Sequence, residues 1–163
     1  MSLNARSLIN KFDIFEAYIA SVDPDIVGVT ESWATSDIQD SELMISGYDM
    51  FRCDRPTGNV GGGVLLYVRS ELKSSEYVPL ARFPEHIWCT IRDGKDQQLA
   101  IGVCYRSDNA NIFVNGSCQE LMNLLNEVGR RHMLLLGDFN FGGIDWNTGA
   151  GPRTSRGDCQ MFI

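Results

Sequence analysis

Met133-Leu134-Leu135-Leu136 runs directly into Gly137-Asp138-Phe139-Asn140, and this junction constrains the fold more than any other stretch. A short apolar run that stops at Gly-Asp-X-Asn reads as a buried strand delivering a carboxylate and an amide to its carboxyl end, where α/β sheets place their chemistry. One Gly-Asp turn would be weak, because such turns are common. An upstream counterpart strengthens it: Ile26-Val27-Gly28-Val29-Thr30-Glu31 is a second apolar strand ending in an acid. Two strand-end acids in one small domain point to a shared metal or phosphate site.

The 163 residues amount to one domain, or most of one. Leu8, Phe12, Phe15, Tyr18 and Ile19 recur at helical spacing across Leu8 to Ser21, and Asp23-Pro24 stops that helix. Ser32 to Gly47 is loop-like. Tyr48 to Asp54 reads as a strand, Gly58 to Gly63 as a turn, and Val64 to Arg69 as the returning strand. Ile87 to Arg92 and Gln98 to Tyr105 form a hairpin around Asp93-Gly94-Lys95, followed by a polar loop from Ser107 to Gly116. Leu121, Leu124, Leu125 and Val128 mark a second amphipathic helix over Cys118 to Val128, and His132 to Leu136 is the strand before the opening motif. Hairpins mixed with crossovers imply a two-sheet α/β sandwich flanked by helices.

Composition narrows the function classes. A hydrophobic share of 44% supplies a core, and a net charge of −7 argues against gripping nucleic acid by a bulk positive field. Any DNA or RNA contact would rest on local arginines. The five cysteines are odd in number and lack zinc-knuckle spacing, so they read as reduced residues of an intracellular protein. No charged-then-apolar leader and no apolar stretch near 18 residues indicates secretion or a membrane span.

Taken singly, the chemical candidates are modest. Glu31 alone reads more simply as a cap for the next turn than as a metal ligand, Asn4 reads as a turn residue ahead of the first helix, and Tyr105 as a packed rim residue. The Gly61-Gly62-Gly63 run precedes a strand rather than a helix, so a hairpin turn suits it better than a phosphate cradle.

Their joint order changes this. Asn4-Ala5-Arg6-Ser7-Leu8, Thr30-Glu31-Ser32-Trp33, Asp54-Arg55-Pro56, Gly61-Gly62-Gly63-Val64, Gly102-Val103-Cys104-Tyr105-Arg106 and Gly137-Asp138-Phe139-Asn140 resemble the motif series of the endonuclease/exonuclease/phosphatase superfamily. The resemblance is strongest to the apurinic-type endonuclease domain of non-LTR retrotransposons of the chicken-repeat-1 and jockey-like kind, and it runs over essentially the whole chain. It implies a four-layer α/β sandwich, two facing mixed sheets flanked by helices, with the site at one edge. It further implies that Glu31 holds a divalent metal, Mg²⁺ or Mn²⁺, with Asn4 beside it. Asp138 orients or deprotonates the attacking water, and Asn140 and Tyr105 hydrogen-bond the phosphate. Arg106, with Arg52, Arg55 and Arg69, is a candidate phosphate contact, and Trp33 and Trp146 lie in loops near the site. Mg²⁺ needs only one or two protein carboxylates besides water and phosphate oxygens, so this donor set is chemically sufficient.

The implied reaction is a DNA nick leaving a 3′-hydroxyl, with a reverse transcriptase domain as a possible partner in the same polyprotein and nuclear action following from the substrate. Other superfamily phosphodiesterases, acting on RNA, inositol phosphate or lipid, and a non-catalytic nucleic-acid-binding remnant are the alternatives. The family pattern also carries a full first strand, a later Asp-bearing strand and a Ser-Asp-His element. Only Met1-Ser2-Leu3 precede Asn4, nothing after Asn140 matches the late elements, and Thr154 to Ile163 resembles the helix before them. The expectation is therefore a partial domain with little activity alone. His86, at the start of a hairpin arm, is the weak substitute for the terminal histidine; His132, at the far end of its strand, lies roughly 20 Å from Asp138 and is excluded.

Overall fold

The structure is a computed structural model and describes residues 1–55, 61–92, 97–107, 116–129, 132–140 and 147–148. Strands β1 (Ser2–Asn4), β2 (Ile26–Thr30), β3 (Tyr48–Cys53) and β4 (Val64–Arg69) form one sheet in the order β1-β2-β4-β3. Strands β5 (Ser75–Glu76), β6 (His86–Arg92), β7 (Gln98–Tyr105) and β8 (His132–Asp138) form a second, in that sequence. Both sheets are mixed: β1 runs parallel to β2 and β7 parallel to β8, while the remaining pairs are antiparallel.

Strand alternation decides which residues fill which layer. Val64, Leu66 and Val68 of β4 meet Cys89, Ile101 and Val103 between the sheets. The alternate residues Leu65 and Tyr67 point outward, where Phe15 and Ile19 of α1 (Phe12–Val22) cover them. On the far side, Trp88, Ala100 and Cys104 pack under Leu121, Leu124 and Val128 of α2 (Gly116–Val128). The stacking is thus α1, sheet, sheet, α2: the expected four-layer sandwich. Truncating a central residue such as Leu66, fully buried, would cost about 2–5 kcal/mol. The sheets approach closely at Gly28, where an added Cβ would lie 2.9 Å from Val103 Cγ2.

The elements follow the sequence pattern with informative exceptions. α1 is entered through a 3₁₀ turn at Ile9–Lys11 and ends where Asp23 turns left-handed (φ 51°) and its N–H returns to Ile19 O. The stretch read as loop holds a 3₁₀ turn at Asp40–Glu42, capped by Gln39. β1 and β5 carry no periodicity to read, being three and two residues long. They exist because a neighbouring strand offers them a ladder. Asn4 is accordingly the last residue of a strand, in register with Thr30, rather than the helix-start turn residue its sequence context suggests. The hairpin pairing of β6 and β7 is as expected, with Cys89 opposite Ile101. Its Asp93-Gly94-Lys95 turn, the first half of the Gly58 to Gly63 turn, the interior of the Ser107 to Gly116 loop, Trp146 and the Thr154 to Ile163 helix lie outside the described residues. Cys53, Cys89 and Cys104 are free thiols. Among the described residues no helix is long and apolar enough to cross a membrane.

Candidate active site

Because β1 lies parallel to β2, and β8 to β7, four strand ends reach one edge of the sandwich. They deliver Asn4, Glu31, Tyr105 and Asp138. Asn4 is the join. Its amide nitrogen donates to Glu31 Oε1 at 2.8 Å and to Asp138 Oδ2 at 3.0 Å, linking a carboxylate of each sheet. The amide's orientation is set by the Arg6 N–H, which donates to Asn4 Oδ1 at 3.1 Å and so turns the NH₂ toward the acids. Tyr105 OH donates to the same Glu31 Oε1 at 3.2 Å. Burial, then the neighbouring Glu31 charge, raises the Tyr105 phenol above its ordinary value, so it remains a hydrogen-bond donor at neutral pH.

Glu31 itself sits left-handed, at φ 52°, and Trp33 at φ 58°, a conformation that bulky residues adopt only when their surroundings impose it. Two backbone clamps impose it here. On one side Ala5, Ser7 and Leu8 donate their N–H groups to Thr30, Glu31 and Ser32 carbonyls. On the other, Ser32 N–H donates to Gly63 O and Trp33 N–H to Gly62 O. The Asn-Ala-Arg-Ser-Leu and Gly-Gly-Gly segments therefore serve the same turn from opposite sides. The glycine run is a wall of the site as well as part of the β3–β4 connection. Trp33 remains 38% exposed, its indole beside Gly61.

At the end of β8, Gly137 is required by space. A Cβ there would lie 1.9 Å from the Cys104 carbonyl oxygen. Asp138 then accepts from the Asn140 N–H at 3.1 Å, and Asn140 turns left-handed at φ 49°, which Asn tolerates well. Asn140 Nδ2 donates to Arg106 O at 2.7 Å, and Arg106 Nη1 donates to the carbonyls of Phe139 and Asn140. Arg106 thus lies beside the turn that carries Asn140.

The other arginines are placed differently. Arg52 is consumed by Asp54, Asp40 and the carbonyls of Thr35 and Ile38, a structural tie for the 35–40 segment. Arg69 pairs with Asp23 and Asp25 at the opposite end of its sheet. Arg69 is thus kept away from the strand-end cluster, and Arg52, although near that edge on the outer strand β3, is committed to these partners. His86 packs its ring against Phe83, centroids 6.3 Å apart, and burial lowers its pKa. Among the described residues no hydrogen bond joins it to Glu31, Asp138 or Asn140. Sequence reasoning missed Glu85, a buried acid 4% exposed that holds Arg55 and the Gly63 N–H. An acid after Pro84 gives no sequence signal of burial.

The model of one protein family, described as the Endonuclease/Exonuclease/phosphatase family, matches residues 1–161. The chain belongs to this family. No curated protein matches it. Among solved structures of the family's fold, an AP endonuclease from Leishmania major superposes with a TM-score of 0.76 at 12% identity, covering 99% of this chain and 63% of that one. The endonuclease domain of TRAS1, a telomere-specific non-LTR retrotransposon, gives 0.65 at 13% identity, with 99% and 66% covered. The 3′-5′ exonuclease NExo from Neisseria meningitidis gives 0.63 at 18% identity, with 99% and 67% covered. The chain therefore spans about two thirds of the length of these structures, and at such identities the likeness is one of fold.

Proposed function

We propose that the strand-end cluster is a divalent-metal-dependent phosphodiesterase site acting on DNA, of the kind that nicks target DNA for a non-LTR retrotransposon. The observation that carries this reading is Asn4 bridging Glu31 and Asp138 from two different sheets. Two acids are gathered there around a neutral amide with no ion pair to either among the described residues, an arrangement that favours a cation.

The donor set fits a hard cation. Glu31 Oε1 is occupied by Asn4 and Tyr105, while Oε2 has no protein donor among the described residues. Carboxylate oxygen of this kind, with Asn4 beside it and water completing the shell, suits Mg²⁺ or Mn²⁺. When bound, such an ion supplies charge neutralisation at the phosphate. The chain's own groups do the rest. Asp138, held by Asn4 and the Asn140 N–H, orients and deprotonates the attacking water. The second Asn140 amide N–H is a donor for phosphate oxygens, joined by the Tyr105 O–H when it turns from Glu31 to the substrate, and Arg106 is a further phosphate contact. Trp33 offers a flat exposed face on which a base flanking the phosphate can stack, which favours a polynucleotide over an inositol phosphate. The retrotransposon assignment rests on the Thr30-Glu31-Ser32-Trp33 and Gly61-Gly62-Gly63-Val64 motifs. In that setting a reverse transcriptase would extend the nicked end in the nucleus.

The test is a nicking assay on supercoiled plasmid with Mg²⁺ or EDTA, run beside inositol phosphates and beside metal titration calorimetry. The reading expects Mg²⁺-dependent nicking, weak from this partial domain alone and restored in a longer chain that carries the late Asp and Ser-Asp-His elements, and metal affinity that Glu31→Gln weakens by about tenfold or more. Metal affinity unchanged by Glu31→Gln, or turnover confined to inositol phosphates, would sink it. DNA binding without turnover would favour the non-catalytic module instead.

A further inference from the structure

The glycine triplet and the Arg55–Glu85 pair have no part in the chemistry just described, yet they occupy its wall. Glu85 Oε1 accepts from Arg55 Nε at 2.9 Å and Oε2 from Arg55 Nη2 at 3.0 Å, while Oε1 also accepts from the Gly63 N–H at 2.8 Å. The side chains of Arg55 and Glu85 are 15% and 6% exposed. A buried fork-on-carboxylate pair is costly to desolvate and is often replaceable by apolar residues without loss of stability. What such a pair does provide is fixed geometry.

That geometry is aimed at Tyr105. The Arg55 guanidinium carbon lies 5.7 Å from the centroid of the Tyr105 ring, within cation–π range. The Tyr105 N–H donates to the Glu85 carbonyl at 2.9 Å. One residue, Glu85, therefore holds the backbone of Tyr105 directly and its ring through Arg55. The glycines make room for this. A Cβ on Gly62 would lie 2.2 Å from Glu85 Oε1 and 2.3 Å from Arg55 Nε, so no other residue fits above the pair. Nε and one Nη2 N–H are committed to Glu85, which fixes the plane of the guanidinium.

We propose that Arg55, fixed by Glu85 beneath the glycine triplet, is a positioning residue that holds the Tyr105 ring, and through it the hydroxyl that meets Glu31. The proposal deepens the phosphodiesterase reading and rests on it only for its turnover readout.

The experiment labels the tyrosines with meta-fluorotyrosine and follows them by fluorine NMR, with Tyr105→Phe assigning the Tyr105 line. Arg55→Lys keeps the charge and loses the fork, Arg55→Met keeps the stem, and Glu85→Gln keeps the shape. Each is expected to shift and broaden the Tyr105 line while those of Tyr48 and Tyr67 stay in place. In the nicking assay Arg55→Met is expected to lower kcat by about tenfold or more with KM little changed. It should cost nothing further in a Tyr105→Phe background, because the two act as one unit. An unmoved Tyr105 line in folded Arg55→Lys overturns the proposal, whatever the turnover; additive losses in the double variant do the same. A shifted line in a chain whose wild type neither binds Mg²⁺ through Glu31 nor nicks DNA leaves the brace standing and the phosphodiesterase reading refuted. If none of the three variants folds, the pair serves the fold and the positioning role is overturned.

Discussion

The two ends of the first sheet carry the same kind of residue under opposite electrostatic conditions. At the amino end of β2, Asp23 and Asp25 face Arg69, whose guanidinium donates to both. At the carboxyl end, Glu31 and its cross-sheet neighbour Asp138 meet an amide, a phenol and a backbone N–H. Acids matched by an arginine make a surface tie, worth little in water. Acids gathered around one neutral amide leave negative charge for a ligand to answer. The backbone differs in the same sense. The left-handed turn at Asp23 is an ordinary helix end, whereas those at Glu31, Trp33 and Asn140 are held by clamps drawn from distant segments. Strand-end acids alone do not identify a site; the charge of what surrounds them does.

The widest separation between the two ends is expected in catalysis. Asp138→Asn should lower nicking by about a hundredfold or more while leaving the melting temperature unchanged or raised, since it removes one of two crowded charges. Asp25→Asn should leave nicking intact. Steady-state nicking and a melt on each variant check this, and equal effects at the two ends would erase the contrast.

The clamps can be tested by glycine substitution. Gly62→Ala should destabilise by about 2–5 kcal/mol, from left-handed strain plus overlap with Arg55 and Glu85. Gly47→Ala, at φ 85° with open space around it, should cost only about 1–2 kcal/mol of strain. Urea unfolding of the pair reads the difference, and similar losses would mean that the wall of the site is not tightly built.

A smaller effect is expected at the matched end. Arg69→Met should lower the melting temperature slightly, the difference shrinking as salt is raised, because exposed ion pairs are screened. Metal affinity at Glu31 should not change. A marked loss of affinity would show that the two ends communicate through the sheet.

The smallest effect belongs to a carboxylate at neither end. Glu127 accepts from the N–H groups of Leu80 and Ala81, and the Leu80 bond foremost holds its pKa below the usual carboxylate range. A depressed folded pKa gives stability that is present above the unfolded value, about 4.3, and lost as pH falls through the folded one. Amide exchange at Leu80 and Ala81 should therefore quicken, beyond its intrinsic pH dependence, as pH drops below that value, and Glu127→Gln should abolish the step.

Much of this architecture was legible because it is written locally. Phe12, Phe15 and Ile19 recur at helical spacing, β4 and β7 read as apolar runs, and the turn at Asp23-Pro24 is a short-range signal. Glu31, Asp138 and Asn140 stood out for the same reason: each ends an apolar run. What escaped has no local pattern. β1 is too short to carry a period and forms only against β2. The burial of Glu85 depends on Arg55, thirty residues away. Arg52 and Arg69 look like phosphate contacts in sequence because an arginine shows its charge there but not its partners.

The sequence by itself determined that two apolar strands would each end in an acid, that helices would cover the outer faces, and that the ordered motifs belong to this family. Spacing and hydrophobicity suffice for that, since both act over a few residues. Only the tertiary structure decided that Asn4 would join Glu31 to an aspartate 134 residues away, that a glycine run would brace a turn and roof an ion pair, and that an arginine in a motif would face a tyrosine ring. Those outcomes depend on strand register and on how closely two sheets approach, and both are set by packing across the whole core.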